Sequence, residues 1–289
     1  MHAVKLSRSQ TSALQVAPMA LVLLLFFGVP LLVVVAFSFF DYDGINTNPA
    51  FVWANYAELF GSKVTLALYL KTLYFAAIVW VITLLIGFTV SYFLVFHVRS
   101  VLWQMGLFLL CTVPFWTSNI IRMISWIPFL GRNGIFNQAL MGAGITHEPL
   151  EFLLFSDFAV IVAYVHLFTL FMIVPIFNSM ARIDRSLIEA ARDGGSSGGR
   201  IIWEIVVPLS KTGIALGSIF VITLVMGDFF VVKVMSGSHS ASVAMAMSNQ
   251  IAMVQYPPAA ASAVLLLIIV SLMVAAILRV VDVRKELAR

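Results

Sequence analysis

The sequence predicts an all-α polytopic membrane protein, one domain over 1–289 with six transmembrane helices. Three observations lead there. Of the 289 residues, 62% are hydrophobic and only 10% charged, where soluble domains carry roughly 25%. Mean hydropathy is +1.04. Residues 9–40, 72–96, 100–121 and 158–181 contain no Asp, Glu, Lys or Arg, and about 20 apolar residues cross the hydrocarbon core as a helix. Runs this long and continuous exclude a β-barrel, whose strands alternate over roughly ten residues.

The first span is predicted at about 16–40. Its apolar run exceeds the roughly 7–15 residues of a signal-peptide core. "AFSFFDYDG" also sets phenylalanines where small residues should mark cleavage, so the helix is read as retained. Further spans fall at about 72–96, 101–121 and 158–180. The fifth, 212–232, requires the charge-free run 212–227 to continue through Asp228. The sixth, about 258–279, starts at the turn signal Pro257-Pro258 and ends at Arg279. Pro30 and Pro114 read as tolerated kinks, because neighbouring helices can re-satisfy a freed carbonyl. Between spans, 41–71 carries "FVWANYAELF" and 127–157 carries "IPFLGRNGIFNQALMGAG". These short apolar patches with aromatics and glycines predict interfacial helices or a docking surface.

Orientation follows from Lys and Arg. With a cytoplasmic N-terminus, segments 1–15, 97–100, 182–211 and 279–289 lie inside and hold twelve of the 17 basic residues. The positive-inside bias then puts both termini in the cytoplasm. It also accounts for the pI near 9.3 without nucleic acid, since the basic residues form no stripe. His2, His97, His147, His166 and His239 are isolated from one another and from Cys111, which excludes a metal cluster. His166, within the fourth span, reads as hydrogen-bonded between helices, and Cys111 as a small buried hydrophobe.

Residues 182–211 are the most polar stretch. Ser186-Leu187-Ile188-Glu189 has capping-box spacing, with Asp184 as a competing cap. Leu187, Ile188 and Ala191 share one face, and Gly194-Gly195 stop the helix. A second short helix is predicted from Arg200, with Ile201, Ile202 and Ile205 on one side and Pro208 marking the start of the next span. Loops beyond roughly 12–15 residues are usually functional or disordered. The caps and amphipathic faces argue for a docking element.

"EAARDGG…IVVP" resembles the signature E-A-A, three residues, G, nine residues, I-x-L-P of permease subunits in binding-protein-dependent ABC importers. Glu189, Ala190, Ala191, Gly195, Ile205 and Pro208 fall on it, with Val207 in place of leucine and Gly194 where leucine is common. The resemblance implies a type I ABC importer permease fold in a bacterial inner membrane, with a cytoplasmic coupling helix between helices 4 and 5. Arg192 and Asp193 belong to that helix. It would sit in a groove of a cytoplasmic ATPase subunit and turn nucleotide-driven closure into rocking of the membrane helices. The expected partners are two such ATPases, a second permease (different or identical), an extracytoplasmic solute-binding protein and the lipid bilayer. No cofactor is expected on this chain: G-x-x-x-x-G-K-[ST] is missing, so ATP and Mg belong to the ATPase. No nucleophile–histidine–acid constellation suggests an enzyme. An ion-gradient-driven secondary transporter is the rival class, and it would leave the loop signature unexplained.

Within the family, "VPFWTSNIIRMISWIPFLGRNGIFNQAL" (113–140), "GDFFVVKVMSGS" (227–238) and "YPPAAASAVLLL" (256–267) are similar to the spermidine/putrescine group. Relatives of that group also move aminophosphonates, opines, ferric iron, thiamine and sulfate-like oxyanions. A cation pathway would combine the carboxylate of Asp228 with the aromatic faces of Trp116 and Trp126. Alternatively, Asp228 pairs with Lys233 or Arg122 near a helix end, and the tryptophans are interface-belt residues. Arg122, one turn from Asn119, would conversely suit an anion.

Overall fold

The computed structural model describes residues 8–44, 46–237 and 240–281. Their regular structure is helical apart from one short hairpin. His2, Lys5, His239, Arg284, Lys285 and Arg289 lie outside the described residues. Helix α1 covers 8–37 and contains a π-helical turn at Leu24–Gly28. Strands β1 (Asp41–Tyr42) and β2 (Thr47–Asn48) pair antiparallel, and α2 is Ala54–Gly61. Helix α3 runs Lys63–His97 and α4 Val101–Trp116. Three short helices follow: α5 (Asn119–Ile124), α6 (Trp126–Leu130) and α7 (Ile135–Gly142). Next are α8 (Asp157–Met180), α9 (Arg185–Asp193) and α10 (Gly198–Gly227). The last are α11 (Phe230–Met235), α12 (Val243–Ala252) and α13 (Tyr256–Val280).

Five of these, α1, α3, α8, α10 and α13, contain stretches long and apolar enough to cross a bilayer. A sixth span results when α4 and the helices after it are taken as one element bent by 90°. Here the structure differs from the predicted 101–121. Pro114 lies in a 3-10 turn, Val113–Trp116, because proline lacks the N–H that an α-helix would use there. Ser118 then caps α5 by accepting from the Ile120 N–H at 3.3 Å. Helix α4 alone extends about 24 Å at ~1.5 Å per residue, short of the ~30 Å hydrocarbon core.

The second and fifth spans differ as well. Helix α3 begins at Lys63 and so carries Lys71 within it. Helix α10 begins at Gly198, which makes the predicted second short helix of the polar loop the first turns of a long one. It ends at Gly227 rather than running through Asp228, whose backbone is extended. Pro208 is tolerated inside α10 because it lies two residues after a π-helical turn, Ile202–Val206, that already interrupts the regular ladder.

Two compact units are distinguished, Met1–Lys63 with Met247–Leu265 and Val64–Ala246 with Leu266–Arg289. In the first, residues after α1 fold back on its end. Asn55 Nδ2 donates to the Ser38 carbonyl at 3.0 Å and the Phe40 carbonyl at 2.8 Å. Tyr56 donates to Ser38 Oγ at 2.8 Å. Phe39 stacks on Phe51 with ring centroids 4.6 Å apart and meets Trp53 edge-on at 5.2 Å. Phe51, Trp53 and Tyr56 of "FVWANYAELF" thus close a local cluster on Phe39.

The second unit is built on α8 against α10. Gly213 and Gly217 let the two backbones approach: a Cβ on Gly217 would lie 2.7 Å from Met172 Sδ and 3.2 Å from its Cα. Gly87 brings α3 onto the same Met172, where a Cβ would sit 3.1 Å from the methionine Cβ. Trp80 Nε1 donates to Ser218 Oγ at 2.8 Å, and Lys71 pairs with Asp157 at the start of α8. The segment after α7 is knotted by Asn137, which is fully buried. Its amide donates to the carbonyls of Gly131 and Leu150, at 3.1 and 3.2 Å, and accepts from the Leu150 N–H at 2.8 Å. Asn137→Leu strands the buried Leu150 N–H, whereas the Gly131 carbonyl keeps the Gly134 N–H at 2.8 Å, so a loss of about 1–3 kcal/mol is expected. Thermal unfolding of the detergent-solubilised chain checks it, and an unchanged midpoint would refute the knot.

Candidate functional site

The polar loop is organised by α9. Asp184, not Ser186, is its cap: the carboxylate accepts from the Ser186 N–H at 2.9 Å. That hydrogen bond holds the Asp184 carboxyl below the ordinary carboxylate range, since it favours the charged form. The predicted Ser186–Glu189 capping box is therefore replaced by a cap two residues earlier. The helix stops as the glycines predict. Gly195 adopts φ +80°, and Ser196 N–H reaches back to the Ala191 carbonyl at 3.0 Å, the closure typical of a left-handed glycine stop.

Of the apolar face, Ile188 is buried, but Leu187 is 49% exposed. Glu189, Ala190, Arg192 and Asp193 are exposed and Ala191 half-buried. Beyond the turn, Ile205 is half-buried and Pro208 exposed, both on α10. What fixes α9 against the rest of the unit is Arg185. Its Nη2 donates to the Val95 carbonyl at 2.7 Å and the Val98 carbonyl at 3.4 Å, where α3 ends. Arginine supplies several donors in a fixed plane, which suits helix-end carbonyls that have lost their intrahelical partners. Nothing in the local spacing singles Arg185 out, because its partners are 87 and 90 residues away.

The second region lies where α10 breaks. Asp228 and Asn119 line one cavity of about 310 Å³, walled by Met123, Phe168, Leu224 and Val231. Asp228 Oδ1 accepts from the Val231 N–H at 2.8 Å and from the Tyr164 hydroxyl at 3.3 Å. Among the described residues it carries no ion pair with Lys233 or Arg122, so the expected pairing is not made.

Arg122 is 6% exposed. Its Nη2 is bonded to Asn119 Oδ1, and its guanidinium lies 4.5 Å from the centre of the Phe115 ring. Neither tryptophan joins the cavity. Trp116 is 75% exposed, and Trp126 Nε1 donates to His166 Nδ1 at 3.0 Å. An indole N–H can only donate, so that nitrogen of His166 is unprotonated and the ring is a neutral link between α6 and α8. The proposed aromatic cage around a cation is therefore not built from Trp116 and Trp126. The sequence signals that pointed to the cavity were Asp228 and Asn119. Tyr164, which holds Asp228, lies 64 positions away and carries no local sign of it.

No protein-family model matches the chain. Individual relatives do. It is 32% identical over 230 residues to the spermidine/putrescine transport system permease protein PotB of Haemophilus influenzae, covering 79% of each. Against PotB of Escherichia coli it is 31% identical over 237 residues, 81% of this chain and 84% of the relative. The inner membrane ABC transporter permease protein YdcU of Escherichia coli is 25% identical over 256 residues, 84% and 80% of the two chains. Among solved structures, a chain of the bacterial alginate ABC transporter in complex with an alginate pentasaccharide-bound periplasmic protein superposes with a TM-score of 0.75. Identity there is 15% and coverage 93% of both chains, so this likeness bears on the fold alone.

Fold and relatives together define a membrane-spanning transport subunit. The chain belongs to the family of ABC importer permeases, in the spermidine/putrescine group.

Proposed function

We propose that this permease forms half of a pathway for a polyamine or similar small charged organic solute. An extracytoplasmic binding protein delivers the solute, and ATP with Mg on separate cytoplasmic ATPase subunits drives the cycle. A second permease, different or identical, supplies the other half, and both termini face the cytoplasm. The polyamine assignment of the PotB relatives supports the solute class. Asp228, at a cavity beside a helix break, supplies a carboxylate for an amine, with Asn119, its oxygen held by Arg122, on the same cavity wall.

The observation that carries the coupling role is the geometry of α9. It is an exposed, capped helix with a glycine stop, anchored through Arg185 to the end of a membrane-crossing helix. A peg fastened in this way moves with α3 when a partner moves it. Ala190, exposed and small, allows close approach of the ATPase groove. Two substitutions test this by co-purification with the ATPase subunit. Ala190→Arg adds bulk to an exposed position, and Gly195→Val forces a β-branched residue into φ > 0 at roughly 1–3 kcal/mol. Each should reduce recovered ATPase by at least about ten-fold, the equivalent of ~1.4 kcal/mol. Full retention of ATPase by both variants would refute α9 as the coupling element.

A further inference from the structure

A second cavity, of about 340 Å³, lies between the end of α3 and helix α9. Arg185, Ile188, Glu189 and Arg192 line it from α9. They stand at i, i+3, i+4 and i+7, one helical face. The opposite wall is the end of α3, where Tyr92 and Phe96 give way to His97 and Arg99. Three arginines thus converge with a single carboxylate, Glu189. No ion pair among the described residues joins that carboxylate to any of them, so the cations are not neutralised within the fold. Arg185 commits Nη2 to carbonyls, while Arg99 and Arg192 are exposed.

Depth decides what such a groove meets. Residues 72–96 of α3 are free of charge, and the helix ends at His97, so the groove opens at the polar boundary of the bilayer. Lipid phosphates lie there, and tyrosines such as Tyr92 favour that level. Guanidinium groups match phosphate oxygens in plane and spacing. Basic pockets beside transmembrane helices at this depth take anionic headgroups.

We propose that this groove binds a phosphate-bearing anion, with Arg99 and Arg192 as its principal ligands and an anionic phospholipid headgroup as the natural source. The inference rests on α3 crossing the membrane, and it is independent of which solute is carried.

The test uses the full chain in nanodiscs and reads bound lipid by native mass spectrometry after extraction. One arm supplies phosphatidylglycerol with phosphatidylcholine; the other supplies phosphatidylcholine alone with inorganic phosphate in the buffer. The unaltered chain should retain phosphatidylglycerol over phosphatidylcholine. Arg99→Gln with Arg192→Gln should cut that retention about twenty-five-fold, from roughly five-fold per arginine. Arg132→Gln, at a residue paired with Glu151 in the segment after α6, should change nothing. Binding of inorganic phosphate with the same arginine dependence would support the phosphate site and make its source soluble. Two results would overturn it. One is phosphatidylglycerol retention unchanged in the folded double variant. The other is loss of the ATPase subunit from the double variant with neither phosphate arm affected, which would assign the groove to a protein partner.

Discussion

Gly213→Leu is expected to prevent α8 and α10 from packing and to lower the thermal midpoint of the purified chain sharply. A Cβ at this position would run into the Pro175 carbonyl oxygen and lie 2.6 Å from Ser179 Cβ and 2.9 Å from the Pro175 carbonyl carbon. Most of that obstruction is backbone, which cannot swing aside as a flexible side chain does. The helices must separate, and the Gly217–Met172 and Trp80–Ser218 contacts go with them. Overpacking a core usually costs about 1–3 kcal/mol; with rigid backbone opposite, the upper end or beyond is expected. In lipid no hydrophobic force presses helices together, so close packing of small residues supplies much of the association. Gly106→Ala is the control: a Cβ there meets nothing within 4 Å. Equal midpoints for Gly213→Leu and the unaltered chain would show that the α8–α10 contact does not hold the unit together.

The second large effect is expected at Asp228. Its carboxylate performs a structural task, accepting from Val231 N–H and Tyr164 hydroxyl, and is proposed to face a cationic solute in the cavity it shares with Asn119. Two substitutions separate these tasks. Asp228→Asn keeps an oxygen for Val231 and Tyr164 but removes the charge. Asp228→Ala removes both. A hydrogen bond to a charged group contributes about 1.5–3 kcal/mol. Uptake of labelled spermidine into proteoliposomes holding the complete transporter should therefore fall roughly 10–100-fold in Asp228→Asn, with little change in thermal midpoint. The alanine variant should lose both uptake and stability. Normal uptake by Asp228→Asn beside a crippled alanine variant would reduce Asp228 to a structural acceptor and remove it from the solute pathway.

The two regions were not equally legible in the sequence. The glycine stop of α9 could be read because helix termination is local: Gly195 at φ +80° closes a turn with residues four or five positions away. The cap was nearly legible. Asp184 and Ser186 compete within three residues, and the backbone chose the former. The closeness of α8 and α10 also left a local trace, since Gly213 and Gly217 form G-x-x-x-G within an apolar run. Arg185, Tyr164 and the Lys71–Asp157 pair left none. Their partners come from helices 64 to 90 residues away, and only packing brings them into reach. The break at Asp228 was misread for a related reason. Apolarity on both sides favours one continuous span, whereas the carboxylate's bonds to Tyr164 and Val231 hold the chain extended there.

The order of apolar and polar stretches along the chain therefore determined five of the spans, their membrane habitat and the polar loop before the helix that starts at Gly198. Hydropathy and capping act over a few residues and are written where they act. Tertiary structure alone decided where the third and fifth spans stop, which side chains meet at Asp228, and which arginine fastens α9 to α3. Those outcomes depend on distances between segments far apart in sequence, and a linear string does not contain distances until the helices have packed.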